Sequence, residues 1–237
     1  MLALTACSTD AFTSSTDGGA EGAANEAGGG DGGPVMVEFH DRSTLSAGAG
    51  GGLTLSLPRP AQAQAGDLIV VWLRSLEAVT LTLPTAWKQV WGQVSSDCGY
   101  MDIHLAYGRI AELLPTIDLT LSTSATLDAT VLAYGNAGVP SVEQQSIPLN
   151  QTSFALDPVA SVVAGGAVVA GVVFRNGTSI DFPTGMTDRG KFAVDHGRVA
   201  DAVLPAGGTI GGARTFTSKD ANDCGFVFQL KIPPAPR

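Results

Sequence analysis

The chain contains the stretch Ala65-Gly66-Asp67-Leu68-Ile69-Val70-Val71, and a related stretch begins 99 residues later as Ala164-Gly165-Gly166-Ala167-Val168-Val169-Ala170. The same offset, without a gap, aligns Pro84-Thr85-Ala86-Trp87 with Pro183-Thr184-Gly185-Met186. Uninterrupted apolar runs rich in valine and isoleucine are typical of strands that are covered on both faces. Because similarity at one fixed spacing indicates an internal repeat, the sequence predicts two related halves, residues 35–140 and 141–237, each with a buried central strand.

Elsewhere in the first half, leucines alternate with polar residues, at Leu53, Leu55 and Leu57 and again at Leu119 and Leu121. Period-two alternation predicts strands with one buried and one solvated face. The composition agrees, since 44% of the residues are apolar, only 15% are charged and 30 are glycine. We therefore expect an all-β fold, an antiparallel β-sandwich resembling a jelly roll, built from the two halves.

Three local patterns extend this prediction. Residues 159–174 carry no charge but contain the pair Gly165-Gly166, which predicts a strand, a tight turn and a second strand instead of a membrane helix. The pair Asn176-Gly177 predicts a β-hairpin, because both residues tolerate positive φ. Gly108-Arg109-Ile110-Ala111 resembles Gly197-Arg198-Val199-Ala200, but at a different offset. The 99-residue repeat, and not this later similarity, carries the predicted duplication.

The net charge of −9 is concentrated near the amino terminus. Residues 8–34 hold five acidic residues, eight glycines and no lysine or arginine, a composition typical of a disordered linker. The rest of the chain is mildly acidic and has no basic cluster in its sequence. Since proteins bind nucleic acids and anionic lipid headgroups through lysine and arginine, we expect neither of them as a partner.

The residues Leu4-Thr5-Ala6-Cys7 resemble a bacterial lipobox, the small-residue cleavage site whose cysteine becomes acylated. The resemblance implies that residues 1–6 are a signal-peptide remnant, that Cys7 carries the lipid, and that residues 7–34 tether the folded part to a membrane. Ser8 in place of aspartate resembles lipoproteins directed to the outer membrane. Residues 1–6 are uncharged and shorter than a secretory signal requires, so a start upstream of Met1 and a free cysteine in a cytosolic protein both stay open.

The other two cysteines share a local pattern, Asp97-Cys98-Gly99-Tyr100 and Asp223-Cys224-Gly225-Phe226. In an oxidising envelope compartment an even pair of cysteines usually forms a disulfide bond. The sequence therefore predicts a bond between Cys98 and Cys224.

Catalytic motifs are missing from the sequence, which has no nucleophile elbow, zinc-protease motif or dinucleotide fingerprint. Asp102 and His104 lie two residues apart on a predicted strand and therefore share a face, which makes them candidate ligand-binding residues. A metal site would need further donors from elsewhere in the chain, and we predict no catalytic residue, metal or cofactor. A hydrolase remains an alternative if Asp97, Asp188 and Asp195 converge on this pair.

Aromatic residues with a polar edge are unevenly distributed, because all three tryptophans and all three tyrosines lie between residues 72 and 134. Such rings suit sugar stacking and partner surfaces. Trp72 and Trp87 are predicted to lie in the core. Trp91 and Tyr100 are predicted candidates for exposed, ligand-binding rings.

The repeated motif is accompanied by Ile103-His104-Leu105-Ala106-Tyr107 and by Ala129-Thr130-Val131-Leu132-Ala133-Tyr134-Gly135. Together these segments resemble a widespread bacterial extracellular and phage-tail-type β-sandwich module, which commonly occurs in two related halves. The resemblance covers roughly residues 35–232 and implies a surface module without implying a reaction. The second half departs from it at Met186, where tryptophan is expected, and at Gly166, where aspartate is expected.

Three functional expectations follow. The first is a non-catalytic, lipid-anchored module of the cell envelope, at the outer membrane, that binds a glycan or protein partner through loops of the first half. The second is a structural subunit of an envelope or tail-like assembly, and the third is a carbohydrate-active hydrolase. Because folds of this type host many functions, the sequence alone names neither the ligand nor an oligomeric state.

Overall fold

The computed structural model consists of antiparallel β-strands, and no helix occurs in the part of the chain that it describes. It describes residue 33 and residues 35–47, 53–95, 101–146, 149–174, 180–181, 183–191, 197–210, 214–218 and 223–237, with the backbone alone at 93–95, 149–151, 214, 218, 223 and 224. Residues 33–237 belong to one unit. Within these ranges no helix has the length and apolarity needed to cross a membrane.

The described residues of the first half form strands β1 (Glu38–Ala47), β2 (Thr54–Pro58), β3 (Leu68–Ser75), β4 (Leu81–Thr82), β5 (Lys88–Ser95), β6 (Met101–Arg109), β7 (Thr116–Leu121) and β8 (Leu127–Gly135). Five of them form a sheet in the order β1-β8-β3-β6-β5, which we call the first large sheet. The other three form a small sheet in the order β2-β7-β4.

The second half contributes strands β9 (Ser141–Ser146), β10 (Leu149–Gln151), β11 (Ser153–Leu156), β12 (Val159–Val162), β13 (Gly166–Phe174), β14 (Ile180–Asp181), β15 (Thr187–Lys191), β16 (Gly197–Leu204), β17 (Gly208–Ile210), β18 (Arg214–Ser218) and β19 (Asp223–Ile232). The second large sheet has the order β10-β19-β13-β16-β15, and β9 also pairs with β19. Small sheets β11-β18-β14 and β12-β17 complete this half.

In the part of the chain that the structure describes, three hydrophobic cores lie between four layers of sheet. One core joins the two large sheets, and we call it the central core. A second core lies between the first large sheet and β2-β7-β4, and a third lies between the second large sheet and the small sheets of its own half. Both central strands, β3 and β13, are buried along their whole length. The predictions of an antiparallel β-sandwich and of two doubly covered strands are confirmed.

The two large sheets have corresponding strand orders, because β1-β8-β3-β6-β5 matches β9-β19-β13-β16-β15. Their registers match as well: Leu68 pairs with Arg109 on one side, and Ala167, 99 residues later, pairs with Val203. This agreement supports the predicted duplication. Each half is a sandwich of its own, and the two sandwiches meet through their large sheets.

The predicted hairpin at Asn176-Gly177 lies outside the described residues and stays a prediction. The described strands on either side of it, β13 and β14, belong to different sheets. The similarity of Gly108 and Gly197 is not part of the structural repeat, because Gly108 pairs with Ile69 and Gly197 pairs with Val173, at opposite ends of the central strands.

The predicted strand, turn and strand over residues 159–174 is confirmed. Strand β12 ends at Val162, the turn is closed by a hydrogen bond from the Gly166 N–H to the Val163 carbonyl at 2.9 Å, and β13 follows. Gly165 has a φ of +80°, which a residue with a Cβ rarely adopts. The glycine pair therefore makes the sharp change of sheet possible.

Trp72 and Gly171 face each other in the central core, although they occupy equivalent positions of the repeat. A Cβ at Gly171 would lie 2.3 Å from Cζ3 of Trp72 and 2.3 Å from Cε1 of Phe228. The Trp72 and Phe228 rings meet edge to face, with centroids 4.4 Å apart. The indole of Trp72 thus occupies the space that a side chain at position 171 would need. This close packing explains why one half has tryptophan and the other has glycine at this position of the repeat.

Two polar clusters flank the apolar middle of this core. At one end Arg74 donates from Nη1 to Asp128 Oδ2 at 3.1 Å. At the other end the single N–H of Arg189 Nε is shared between the two carboxylate oxygens of Asp201, at 2.9 Å each. The Tyr134 hydroxyl donates to Asp201 Oδ2 at 3.1 Å. Tyr134 and Asp201 come from different large sheets and are almost fully buried. Of these contacts, the Tyr134–Asp201 hydrogen bond directly links the two halves.

Because Tyr134 is buried, the free energy of unfolding should depend on pH in the alkaline range. Burial raises the pKa of the Tyr134 phenol well above its ordinary value, and the Asp201 carboxylate raises it further. Below about pH 10 both the folded and the unfolded states keep the proton, so stability does not change. Above about pH 10 only the unfolded state ionises, so the free energy of unfolding should fall by about 1.4 kcal/mol per pH unit.

Urea denaturation between pH 8.5 and pH 11.5 measures this effect. The Tyr134→Phe variant should lack this part of the alkaline decline, whereas Tyr107→Phe, a matched tyrosine of the same sheet, should keep it. Equal slopes for Tyr134→Phe and the parent chain would contradict the account.

Candidate functional site

Asp102 and His104, the candidate pair from the sequence, are brought together on β6. His104 Nε2 lies 3.0 Å from Asp102 Oδ2, and the Gln89 amide donates to His104 Nδ1 at 2.9 Å. Because a carboxylate accepts and an amide N–H donates, the imidazole here is the neutral tautomer with its proton on Nε2. The backbone N–H of Val79 donates to the same Asp102 oxygen at 3.0 Å.

Gly92 makes room for this network. It lies directly across from His104 in the β5 and β6 register, and a Cβ there would lie 2.0 Å from the Gln89 side-chain nitrogen. The pair lines a cleft of about 210 Å³ but is itself buried. With both ring nitrogens of His104 engaged, the cluster holds β5, β6 and the segment before β4 together and offers no free donor nitrogen to a ligand.

The predicted exposure of Trp91 is wrong. Its ring is 8% exposed and packs against Phe226 with centroids 5.5 Å apart, within the central core. A bulge between Gln89 and Trp91 shifts the register of β5, and the indole points inward. Trp72 is in the core as predicted, whereas Trp87 is half-buried.

Several predicted sites lie outside the described residues. These are Cys7 with the signal remnant, Cys98 and Tyr100, and the side chain of Cys224, so the lipidation and the disulfide stay predictions. Asp97 and Asp195 are likewise outside. Asp188 lies on β15 of the second half, where it pairs with Arg198. Convergence of these acids on Asp102 and His104 is therefore not observed among the described residues.

Several clefts of the first half lie close together, away from Asp102 and His104. Three clefts, of about 270, 370 and 210 Å³, share one residue, Arg109, at the end of β6. Arg109 donates to the Gly66 carbonyl at 2.8 Å and to the Ala137 carbonyl. Its guanidinium therefore ties the turn before β3 to the segment after β8. We call this region the Arg109 end.

The first of these clefts is lined by an aromatic ring and two carboxylates. Trp87 lies flat against the backbone of β6, since a Cβ at Gly108 would lie 2.2 Å from Cδ2 of the indole. Glu112 and Asp118, both exposed, line the same cleft together with Thr116. We call this the Trp87 cleft.

The second cleft contains another histidine and carboxylate pair. His40 Nδ1 lies 2.7 Å from Asp67 Oδ2, and Asp67 also accepts the backbone N–H of Gln64 at 2.8 Å. Asp67 is buried, whereas the His40 side chain is 16% exposed. Glu38 and Asn136 line the same cleft. We call it the His40 cleft.

The second half does not repeat the Arg109 end. At the positions equivalent to Asp67, Trp87 and Arg109 it carries Gly166, Met186 and Val203. Both halves keep the large sheet, but only the first half combines an indole, a guanidinium and a buried carboxylate at this end. The large sheet is therefore common to both halves, whereas these three side chains are specific to the first half.

Sequence reasoning missed the Arg109 end as a site. Asp67 was visible as a difference between the two repeats, and Trp87 and Met186 formed the second such difference. Arg109 gave no signal, because the sequence similarity aligned it with Arg198 at the wrong offset. A comparison of the two halves position by position would have found two of the three residues.

Comparison of the sequence with protein-family models found no matching family, and comparisons with curated proteins and with solved structures found no match either.

Proposed function

We propose that the chain is a lipid-anchored, non-catalytic module of the cell envelope, at the outer membrane, that binds a glycan in the Trp87 cleft. The observation that carries the glycan is the combination of a half-buried indole with two exposed carboxylates and a hydroxyl in one cleft. The anchor rests on the resemblance of Leu4-Thr5-Ala6-Cys7 to a lipobox and on the composition of the linker.

The indole supplies the apolar part of the proposed interface. A sugar ring presents C–H groups on its faces and hydroxyls around its edge, and an aromatic ring provides an apolar surface for the former. Trp87 is held by the Gly108 backbone and partly by the core beneath it, so little conformational entropy is lost when it contacts a ligand.

Carboxylates supply the polar part. Glu112 and Asp118 accept hydrogen bonds from hydroxyl groups, and such charge-assisted bonds are stronger than neutral ones. The Thr116 hydroxyl both donates and accepts. These groups rim the indole in the manner of small-molecule sites, which combine apolar walls with a few polar groups that fix orientation.

The linker suits a display role. A flexible chain of the length of residues 8–34 reaches roughly 30 Å in root-mean-square distance. This would let the folded unit sample partners near a membrane without a rigid connection.

A protein partner is the second candidate, favoured by exposed apolar side chains at the same end. Leu113, Leu114 and Val139 are 53%, 58% and 62% exposed. Leu114 lines the Trp87 cleft and Val139 lines the neighbouring one. A peptide that covered these side chains would bury apolar surface that is now in contact with water.

A glycan array followed by calorimetric titration tests the glycan against the protein partner. The protein used for binding carries Cys7→Ser, which removes the proposed site of lipidation. If the anchor exists, this variant should leave the membrane fraction in which the parent chain is found. We expect selective binding of one glycan class, and Trp87→Leu should weaken it at least tenfold, which is about 1.4 kcal/mol. Asp118→Asn should weaken it about tenfold or more, because a charge-assisted hydrogen bond is lost.

Matched variants distinguish the possible outcomes. Leu76→Ala changes an exposed side chain at the opposite end of β3 and should bind like the parent. Binding that survives both Trp87→Leu and Asp118→Asn would reject the Trp87 cleft. The protein partner would be favoured if the chain binds no glycan but binds an envelope protein, and if Leu114→Ser weakens that binding.

A further inference from the structure

We propose that the His40 cleft binds a divalent transition-metal ion of the Zn²⁺, Cu²⁺ or Ni²⁺ type, held by His40 Nε2 and the Glu38 carboxylate. The inference is independent of the glycan, since it concerns a different cleft and different residues. It starts from the pairing of His40 with buried Asp67 at 2.7 Å.

The backbone is adapted to place His40. The register of β1 shifts between Phe39 and Asp41, so His40 is the extra residue of a β-bulge. Bulges re-aim a side chain that regular pairing would direct elsewhere. Gly135 lies beneath the ring, and a Cβ there would lie 2.4 Å from Cε1 and 2.5 Å from Nε2 of His40. Any side chain at that position would displace the imidazole.

Asp67 determines which nitrogen of the imidazole can bind a metal. Its ionised carboxylate only accepts hydrogen bonds, so Nδ1 of His40 carries the proton and Nε2 has the lone pair when the ring is neutral. A carboxylate behind a histidine ligand fixes the tautomer and the ring orientation and raises ligand basicity. Asp67 is therefore a positioning residue and not itself a ligand.

The second ligand comes from the same strand. Glu38 Oε2 lies 3.7 Å from His40 Nε2, and the Glu38 side chain is 61% exposed and free to adjust. Asn136 also lines this cleft. An imidazole nitrogen ligand suits zinc, copper and nickel, whereas calcium and magnesium prefer ligand sets made of oxygen alone.

The donor set is small. In the ranges that the structure describes, no group of three or more His, Cys, Asp and Glu side chains is suited to a metal. The proposed ion therefore keeps water at its remaining positions. Such an open site binds more weakly than a closed structural one and leaves room for a further ligand.

The chain contains its own control. His104 also contacts an aspartate, but its Nε2 faces Asp102 and its Nδ1 receives the Gln89 amide. Both ring nitrogens are occupied within the protein. Two histidines with similar carboxylate partners should thus differ in metal binding because of their second nitrogen alone.

Calorimetric titration of the full Cys7→Ser chain with Zn²⁺, after alkylation of any free thiol, tests the proposal. We expect one ion per chain in the parent and in His104→Gln. His40→Gln should remove binding, and Asp67→Asn should weaken it 10–100-fold. Glu38→Gln, at an exposed position that does not endanger folding, should weaken it at least tenfold.

A second measurement follows the histidine Hε1 resonances by proton NMR during the Zn²⁺ titration. The His40 signal should shift at lower Zn²⁺ concentration than the His104 signal. No Zn²⁺ binding in the parent chain would overturn the proposal. So would parent-like affinity in either His40→Gln or Glu38→Gln, or an earlier shift of His104.

Discussion

Replacing Trp72 with alanine should lower the free energy of unfolding by about 3–5 kcal/mol, the range found when a buried tryptophan is truncated. Trp72 is 1% exposed and fills the space that Gly171 leaves between the two large sheets. Gly171, the residue of β13 that faces the indole, has no side chain to fill the cavity. Urea denaturation monitored by far-UV circular dichroism measures the loss.

The matching change is Gly171→Ala, which places a Cβ within 2.3 Å of Trp72 and of Phe228. Overpacking of this kind typically costs about 1–3 kcal/mol. In the Trp72→Ala background the same substitution should cost less, because the indole no longer opposes it and Phe228 can shift. Additive effects in this double-mutant cycle would contradict the direct packing of these two positions.

Trp87→Ala serves as the control for Trp72→Ala. Its ring is half-buried and belongs to the same half, so the expected loss of stability is smaller. Equal losses at the two tryptophans would contradict the larger stabilising role assigned here to the buried Trp72.

Arg74→Met should destabilise the fold by about 3–5 kcal/mol, because it leaves the Asp128 carboxylate buried without its cation. Asp128 is 7% exposed, and after the substitution it would keep the hydrogen bond that the Ser46 hydroxyl donates to its Oδ1 at 2.6 Å. Burial lowers the pKa of Arg74, and Asp128 opposes that change. Both charges lose hydration when they are buried, and their pairing offsets that loss. A single unpaired charge should therefore destabilise the fold more than the removal of both charges.

The double variant Arg74→Met, Asp128→Leu tests this explanation. Replacing a buried ion pair with apolar residues of similar volume is often neutral or stabilising, so the double variant should recover most of the loss. Thermal and urea unfolding of the four chains measure the recovery. A double variant at least as unstable as Arg74→Met would contradict this explanation. The loss would then be assigned to packing around Met101, whose Sδ lies 3.1 Å from Arg74 Nε.

The apolar runs of β3 and β13 were sufficient to predict the fold class. A strand buried on both faces needs no alternation, and both runs are continuous. Their spacing also predicted the duplication that the strand orders support. These predictions succeeded because they rest on local chemistry repeated over many residues.

Other features depend on contacts distant in sequence. Strand β14, which follows Asn176-Gly177 in the chain, pairs with β18 and not with β13, the strand before it. Trp91 lies next to Gly92 and Gln93 in the sequence, but the bulge in β5 and the Phe226 ring across the central core determine its burial. Neither partner is visible from the local sequence.

The candidate site follows the same division. Asp102 and His104 were predictable as neighbours because they are two residues apart on one strand, and the structure brings them into contact. The distance between His40 and Asp67 spans 27 residues, and their contact requires the bulge in β1 and the bare backbone at Gly135. Such a constellation appears only after folding.

The comparison of the halves gives the proposed function its location. Because the Arg109 end has no equivalent in the second half, we propose that the first half carries the binding surface and that the second half contributes to the central core. On this view the second half is chiefly a packing partner, and substitutions on its surface should leave ligand binding unchanged.

Hydrogen–deuterium exchange of the full Cys7→Ser chain, with and without the best glycan from the array, tests this central claim most directly. The account predicts slower exchange in peptides covering residues 84–90 and 109–118, around the Trp87 cleft, with no change over residues 183–204 of the second half. Protection confined to the second half, or no protection anywhere under saturating glycan, would contradict it.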